Sequence, residues 1–196
     1  MSTLDEIVKA YDIRGTVPDQ LDADIAHALG VAFAHFVAAD RVLVARDMRP
    51  SGEELVDAFA RGVMEQGIDV VDLGLASTDM LYFAAGSLDA PGAMFTASHN
   101  PAQYNGLKLC LAGARPVGID SGLIVVKGTA AAVLDGAGPL PAARAGALSR
   151  RDVLSPTSTT RCRSSTSPRS ARCASSPTPP TGWVDWWCRP CSSGWR

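Results

Sequence analysis

Leu154 is the last leucine of this 196-residue chain, and after it Val184 is the only Val, Ile, Leu, Met or Phe. Whatever core the protein builds must therefore come from the first 154 residues. From Ser155 onward, 42 residues hold 10 Ser, 6 Pro, 6 Thr and 6 Arg, with no Leu, Ile, Phe, Met, Lys, Glu, Asn, Gln or His. Such a segment buries too little apolar surface to offset its chain entropy, so a disordered tail is expected over 155–196. Charge divides at the same place. Residues 1–154 carry 12 Lys and Arg against 19 Asp and Glu, a net −7, whereas the last 42 carry six Arg and one Asp, a net +5.

Three readings of the tail compete: an Arg/Ser/Pro-rich interaction segment, a zinc or redox site at Cys188-Arg189-Pro190-Cys191, and translation in the wrong frame. One CxxC is half of a four-ligand zinc site, and Cys162 and Cys173 do not supply a second well-spaced pair. No strand–helix pattern supports a thioredoxin-like site. The genetic code tests the third reading. Trp183-Val184-Asp185-Trp186-Trp187-Cys188 is encoded TGG GTN GAY TGG TGG TGY. Read one base earlier, these codons force Gly, Leu, Val and Val. With the preceding residues they permit D-T-A-N-G-M-G-G-L-V-V-P-A-V-F, a glycine turn followed by an apolar segment. An out-of-frame tail beginning near residues 150–156 is the expectation.

The first 150 residues alternate strand and helix patterns. Tyr11–Gly15 reads as a short strand entering a turn. Leu21, Ile25, Ala28, Leu29, Ala32, Phe33 and Phe36 recur at helical spacing within 21–39. Arg41–Ala45 is a buried strand. Ser51 and Glu54 form a capping box for a helix carrying Leu55, Phe59, Val63 and Met64, which ends at Gly67. Ile68–Leu73 is a strand, Thr78–Ser87 a helix, Ala93–Ala97 a strand, Asn105–Leu111 a strand and Asp120–Leu134 a helix. This alternation predicts a three-layer α/β/α domain with a mostly parallel, mixed sheet. We read residues 1–135 as that domain, 136–154 as a linker and 155–196 as the tail. Ligands of such sheets gather at the loops after the strands' carboxyl ends.

No run approaches the roughly 20 apolar residues of a membrane span, and the acidic N-terminus lacks a signal-peptide pattern. The formal charge of −2 argues against a nucleic-acid binder. Cys110, in an apolar strand, reads as a buried free thiol suited to a reducing cytoplasm.

Chemistry converges on Thr96-Ala97-Ser98-His99-Asn100-Pro101, which combines a hydroxyl, an imidazole and an amide after a buried strand. A glycine turn, Tyr104-Asn105-Gly106, and then Lys108 follow. An exposed serine at a strand end could accept a phosphoryl group, with nearby cations stabilising its charge. A plain polar turn, with Ser98 as a cap and Asn100-Pro101 as turn initiator, is the alternative. No Gly-rich Walker pattern and no GxSxG elbow is present.

Here the residues resemble a known family, the α-D-phosphohexomutases of the phosphomannomutase/phosphoglucomutase type. T-A-S-H-N-P at 96–101 is similar to its phosphoserine loop and Y-N-G-L-K at 104–108 to the continuation. A-Y-D-I-R-G at 10–15 and A-R-D-M-R-P-S at 45–51 resemble its two earlier motifs, and Leu81-Tyr82-Phe83-Ala84 also fits. The resemblance covers the first of the family's four domains. Ala45 stands where Gly is common, and Asp79 where many members have Pro. The out-of-frame D-T-A-N-G-M-G-G string resembles the start of the second domain.

The resemblance implies that Ser98 carries the phosphate, exchanging it with a hexose 1-phosphate or 6-phosphate (mannose or glucose) through a bisphosphorylated sugar. It implies Arg14 and Lys108 as cations near the transferring group, His99 and Asn100 as loop and sugar contacts, and Tyr11 as a wall of the cleft. It also implies Mg²⁺ bound through the Ser98 phosphate, with the remaining ligands, the sugar-reading loop and the phosphate clamp on later domains. A chain ending before them is expected to be an inefficient mutase. Other readings stay open. Arg14 can pair with Asp12 or Asp47, Asp47 and Arg49 can hold a structural turn, and Tyr11 can be core edge. His27 and His35 fit helix faces. One rival is a short non-catalytic protein whose basic Ser/Arg/Pro tail binds an acidic partner. Another is a mutase acting on glucosamine phosphate or N-acetylglucosamine phosphate.

Overall fold

Helical spacing, buried apolar runs and glycine stops become the elements of a computed structural model that describes residues 3–152. The disorder, zinc and reading-frame expectations for 155–196 lie outside the described residues. In chain order the elements are α1 (Thr3–Ile7), β1 (Ile13–Thr16), α2 (Ala23–Val37), β2 (Arg41–Arg46), α3 (Gly52–Glu65), β3 (Asp69–Leu75), α4 (Thr78–Ser87), β4 (Gly92–Phe95), β5 (Tyr104–Leu111), β6 (Arg115–Pro116), α5 (Leu123–Leu134) and β7 (Leu148–Arg150). The strand expected at Tyr11–Gly15 begins two residues later, at Ile13. The last of these strands lies inside the segment read from sequence as linker.

The sheet order is β1-β5-β4-β2-β3-β7, with β6 on β5. Strand β2 pairs parallel with β3 and β4, and β3 parallel with β7, whereas β5 runs antiparallel to β1, β4 and β6. One reversed strand in an otherwise co-directional sheet is the mixed, mostly parallel architecture expected. Side chains alternate across it. Val42, Val44, Val70, Ala93, Phe95, Leu107 and Leu109 face the larger core under α2, α3 and α5. Leu43, Ala45, Leu73, Met94 and Cys110 face a smaller core under α4. Two faces buried at once explain why β2 and β4 read as continuous apolar runs rather than alternating ones.

Helices α2 and α3 touch backbone to backbone. A Cβ at Gly30 would overlap the Phe59 carbonyl, and one at Gly62 would overlap the His27 carbonyl. Phe33, Phe59 and Phe95 then pack from helix to sheet, with centroids 6.1 and 5.5 Å apart. His27 lies on a helix face and meets Glu65 across this pair at 2.8 Å, and His35 is exposed.

Caps are built as follows. Asp22 accepts from the Ile25 N–H at 2.8 Å, and Ser77 from the Met80 N–H at 3.3 Å. The capping box expected of Ser51 and Glu54 does not form. Ser51 has helical backbone angles and no side-chain cap bond. Its hydroxyl instead accepts from Asn105 Nδ2 at 3.0 Å, satisfying a fully buried amide. The single-turn α1 has no periodicity to read. Tertiary packing holds it, through buried Leu4 and Ile7 and an ion pair of Asp5 with Lys127 at 2.6 Å. No helix among the described residues is long and apolar enough to cross a membrane.

Candidate active site

The loop after β4 is shaped by one buried cation. Arg49, after β2, is 8% exposed and uses all five N–H donors on protein acceptors. Nη1 donates to the carbonyls of Pro101 (2.7 Å) and Tyr104 (2.8 Å). Nη2 donates to those of Ser98 (2.9 Å) and Asn100 (2.8 Å). Nε donates to Asp47 at 3.1 Å. Asp47 also accepts from Thr96 Oγ1 at 2.7 Å, and Thr96 Oγ1 accepts from the Ser98 N–H at 3.0 Å. Of the two readings of Asp47 and Arg49, the structural one describes their contacts.

At the tip of this loop Ser98 has φ +56° and is exposed. The left-handed conformation costs an L-residue roughly 1–2 kcal/mol. Bonds to a charged donor contribute about 1.5–3 kcal/mol each, so the Arg49 contacts outweigh the strain. Ser98 Oγ lies 3.2 Å from His99 Nδ1. The hydroxyl and imidazole border an open cleft with Thr96, Met48, Met80 and Ser77.

A second group of residues meets at Asp12. Arg14 Nη2 donates to Asp12 Oδ2 at 2.7 Å, and Lys108 Nζ donates to the same oxygen at 3.3 Å. Arg14 Nη1 donates to Asn100 Oδ1 at 3.1 Å, joining this group to the serine loop. Arg14 Nε is buried and has no hydrogen-bond partner among the described residues. The β1–β5 register pairs Ile13 with Leu107. One residue further along, Asp12 falls opposite Lys108.

Arg14, Lys108 and Asn100 thus share one hydrogen-bonded chain, and Ser98 and His99 sit on the loop that Asn100 extends. Tyr11 is not drawn into it. Its ring is 80% exposed and lies over Gly118. Sequence reasoning treated Asp12 only as a pairing partner of Arg14 and missed it as the hub for two cations. The available signal was its position two residues before Arg14 in extended chain, which puts both on one face. Lys108 could not be added without the register.

Among the described residues no three His, Cys, Asp or Glu side chains cluster as a metal site. Cys110 is a buried free thiol, as expected, with burial pushing its pKa up to about 11. It lies in the smaller core and takes no part in the cleft.

Comparison with known proteins gives the family of this domain. Residues 5–125 match the family model described as phosphoglucomutase/phosphomannomutase, alpha/beta/alpha domain I. A phosphohexose mutase of Xanthomonas campestris pv. campestris is 43% identical over 136 residues, 69% of this chain and 30% of that protein. A Klebsiella pneumoniae phosphomannomutase is 45% identical over 116 residues, 59% of this chain and 74% of that one. The crystal structure of a phosphoglucomutase/phosphomannomutase family protein from Burkholderia thailandensis superposes with a TM-score of 0.65 at 37% identity, covering 78% of this chain and 34% of the other. The chain spans about a third of the length of the Xanthomonas and Burkholderia proteins. The domain match spans β1 to β6, the helices as far as the start of α5 and both halves of the Ser98 site, and by it this chain belongs to the phosphoglucomutase/phosphomannomutase family.

Proposed function

We propose that this chain is the phosphate-carrying part of a phosphohexose mutase that interconverts hexose 6-phosphate and hexose 1-phosphate, with mannose or glucose as the sugar. The observation that carries the reading is the exposed, left-handed Ser98 on a loop locked from beneath, with Arg14 and Lys108 joined to that loop through Asn100 and Asp12.

In this mechanism Ser98 Oγ bears a phosphoryl group. A free sugar hydroxyl attacks the phosphorus, the new P–O bond forms as the Oγ–P bond breaks, and the hydroxyl proton passes by way of a nearby base to the departing Ser98 Oγ. The resulting sugar bisphosphate reorients, and its other phosphoryl group returns to Ser98 Oγ. Arg14 and Lys108 stabilise the charge on the transferring group, while Asp12 keeps both cations in place. The His99 imidazole is within hydrogen-bonding reach of the hydroxyl and can hold its proton. Asn100 orients Arg14, and Tyr11 keeps its proposed role as a wall of the cleft when sugar is bound.

Magnesium belongs to the proposal through the family. Of its near-octahedral oxygen ligands, the described residues provide for one, a phosphate oxygen on Ser98, and no acidic cluster stands beside it. They do not complete a magnesium site, and the roles assigned above do not pass through a metal. The 196-residue chain assayed alone is accordingly expected to be a poor mutase. A phosphorylated hexose and a buried free thiol suit the cytoplasm.

Domain replacement tests the reading. Residues 1–150 replace the matching segment of the Xanthomonas phosphohexose mutase, and turnover of mannose 1-phosphate and glucose 1-phosphate is followed by a coupled assay. Turnover that disappears in Ser98→Ala supports the proposal. A folded chimera whose Ser98→Ala form is equally active would remove it.

A further inference from the structure

Arg49 differs from the other cations near the loop. Arg14 Nε has no partner among the described residues, whereas Arg49 has no N–H left for a ligand. We propose that Arg49, acting with Asp47 and Thr96, is a positioning residue that holds Ser98 in its left-handed conformation and so sets the direction of its hydroxyl. This rests on the reading of Ser98 as the phosphate carrier.

The geometry supplies the reasoning. Two of the Arg49 bonds end on the carbonyls of Ser98 and Asn100, so the Ser98–His99 and Asn100–Pro101 peptide planes are pinned, while the Asn100 N–H donates to the Ala97 carbonyl at 3.0 Å and holds the peptide between them. In a trans peptide the N–H points opposite the carbonyl. With the Ser98 carbonyl turned down onto Arg49, the His99 N–H turns away from it. The third attachment reaches Ser98 from its other side, since the Ser98 N–H donates to Thr96 Oγ1, which donates to Asp47, which pairs with Arg49. Ser98 is thus held through both of its peptide groups. Arg49 and Thr96 are buried and Asp47 partly so, while Ser98 is exposed, so the bonds that set the backbone are largely shielded from water and the residue they aim is accessible. A planar five-donor fork is needed for this. An ammonium, with three donors around one nitrogen, cannot span the Asp47 carboxylate and four carbonyls.

The test is NMR on the full 196-residue chain, wild type against Arg49→Lys and Thr96→Val. Two quantities are read: the HN–Hα coupling of Ser98, which reports φ, and the exchange protection of the Ser98, Asn100 and Tyr104 amides. Protection of Val44 and Met94, in the sheet, is the control. The expected result is that both variants lose the left-handed coupling at Ser98. Protection of the loop amides falls by about tenfold or more, as expected for losing a charge-assisted hydrogen bond, with the sheet amides unchanged. A merely structural role would lower loop and sheet together. If Arg49→Lys gives no folded spectrum, Thr96→Val decides, because it removes the link to the Ser98 N–H without touching Arg49. A Ser98 coupling and protection at wild-type values in a folded variant would overturn the proposal. Loss of the phosphate-carrier reading would show separately, as an active Ser98→Ala chimera with these couplings intact.

Discussion

Replacing Gly62 by Ala separates a local from a tertiary account of the same residue. Gly62 sits inside α3, where Gly costs about 1 kcal/mol relative to Ala. Propensity alone therefore predicts that Gly62→Ala stabilises. The structure predicts the opposite sign. The added methyl would overlap the His27 carbonyl and stand 2.9 Å from the Val31 nitrogen. Both are backbone atoms of α2 and cannot rotate aside, so the helices must part, loosening the Phe33–Phe59 contact with its 6.1 Å centroid separation. Overpacking costs about 1–3 kcal/mol, and against backbone that cannot yield the upper end of about 2–3 kcal/mol applies, leaving a net loss of about 1–2 kcal/mol after the propensity gain of about 1 kcal/mol. For a domain of this size each kcal/mol moves Tm by about 2–4 °C, so a drop of about 2–8 °C is expected. Gly128→Ala in α5 is the matched control, because a Cβ there meets nothing within 4 Å. The same propensity gain should then raise Tm by about 2–4 °C. Thermal melts of the two variants read both signs. A Gly62→Ala protein as stable as wild type, or more so, would refute the claim that backbone contact between α2 and α3 sets their spacing.

Other perturbations have defined outcomes. In the domain-replacement mutase, Asp12→Asn should lower kcat about tenfold or more with little change in Tm, because Arg14 and Lys108 lose the carboxylate that places them; an unchanged kcat would remove Asp12 from the site. The chain assayed alone with sugar phosphate and Mg²⁺ should turn over no faster than its Ser98→Ala control, and a clear excess would show that it needs nothing from other domains. Burial moves the Cys110 pKa from 9.0 to about 11, so the unfolded chain releases this proton first. Stability should hold below pH 9 and decline between about pH 9 and 11. Denaturant melts across that range, compared with Cys110→Ala, should show the decline shrinking in the variant.

Much was legible in the residues because local signals and tertiary outcome agree. The helical spacing through Leu29 and Phe33, and the apolar run Arg41–Ala45, each admit one element type. Thr78–Ser87 became α4 over that same span. The hydroxyl, imidazole and amide of 98–100 are consecutive, so chain connectivity alone placed them together. Where a partner distant in the chain competed with the local one, the pattern misled. Ser51 has the sequence of a cap, but its hydroxyl serves the buried Asn105, 54 residues away. A single turn such as α1, or strands of two or three residues such as β6 and β7, carries no period to detect and forms only against the finished sheet.

The sequence by itself determined the layering, the serine loop and its place after a buried strand, because hydrophobic periodicity and contiguity are properties of the chain. Only the tertiary structure decided which cations meet. The antiparallel register brings Lys108 to Asp12 across 96 residues, and a guanidinium at position 49 finds four carbonyls between 98 and 104. Such contacts depend on register and on the path of a loop in space. They are fixed by the burial of the whole sheet, and no local pattern encodes them.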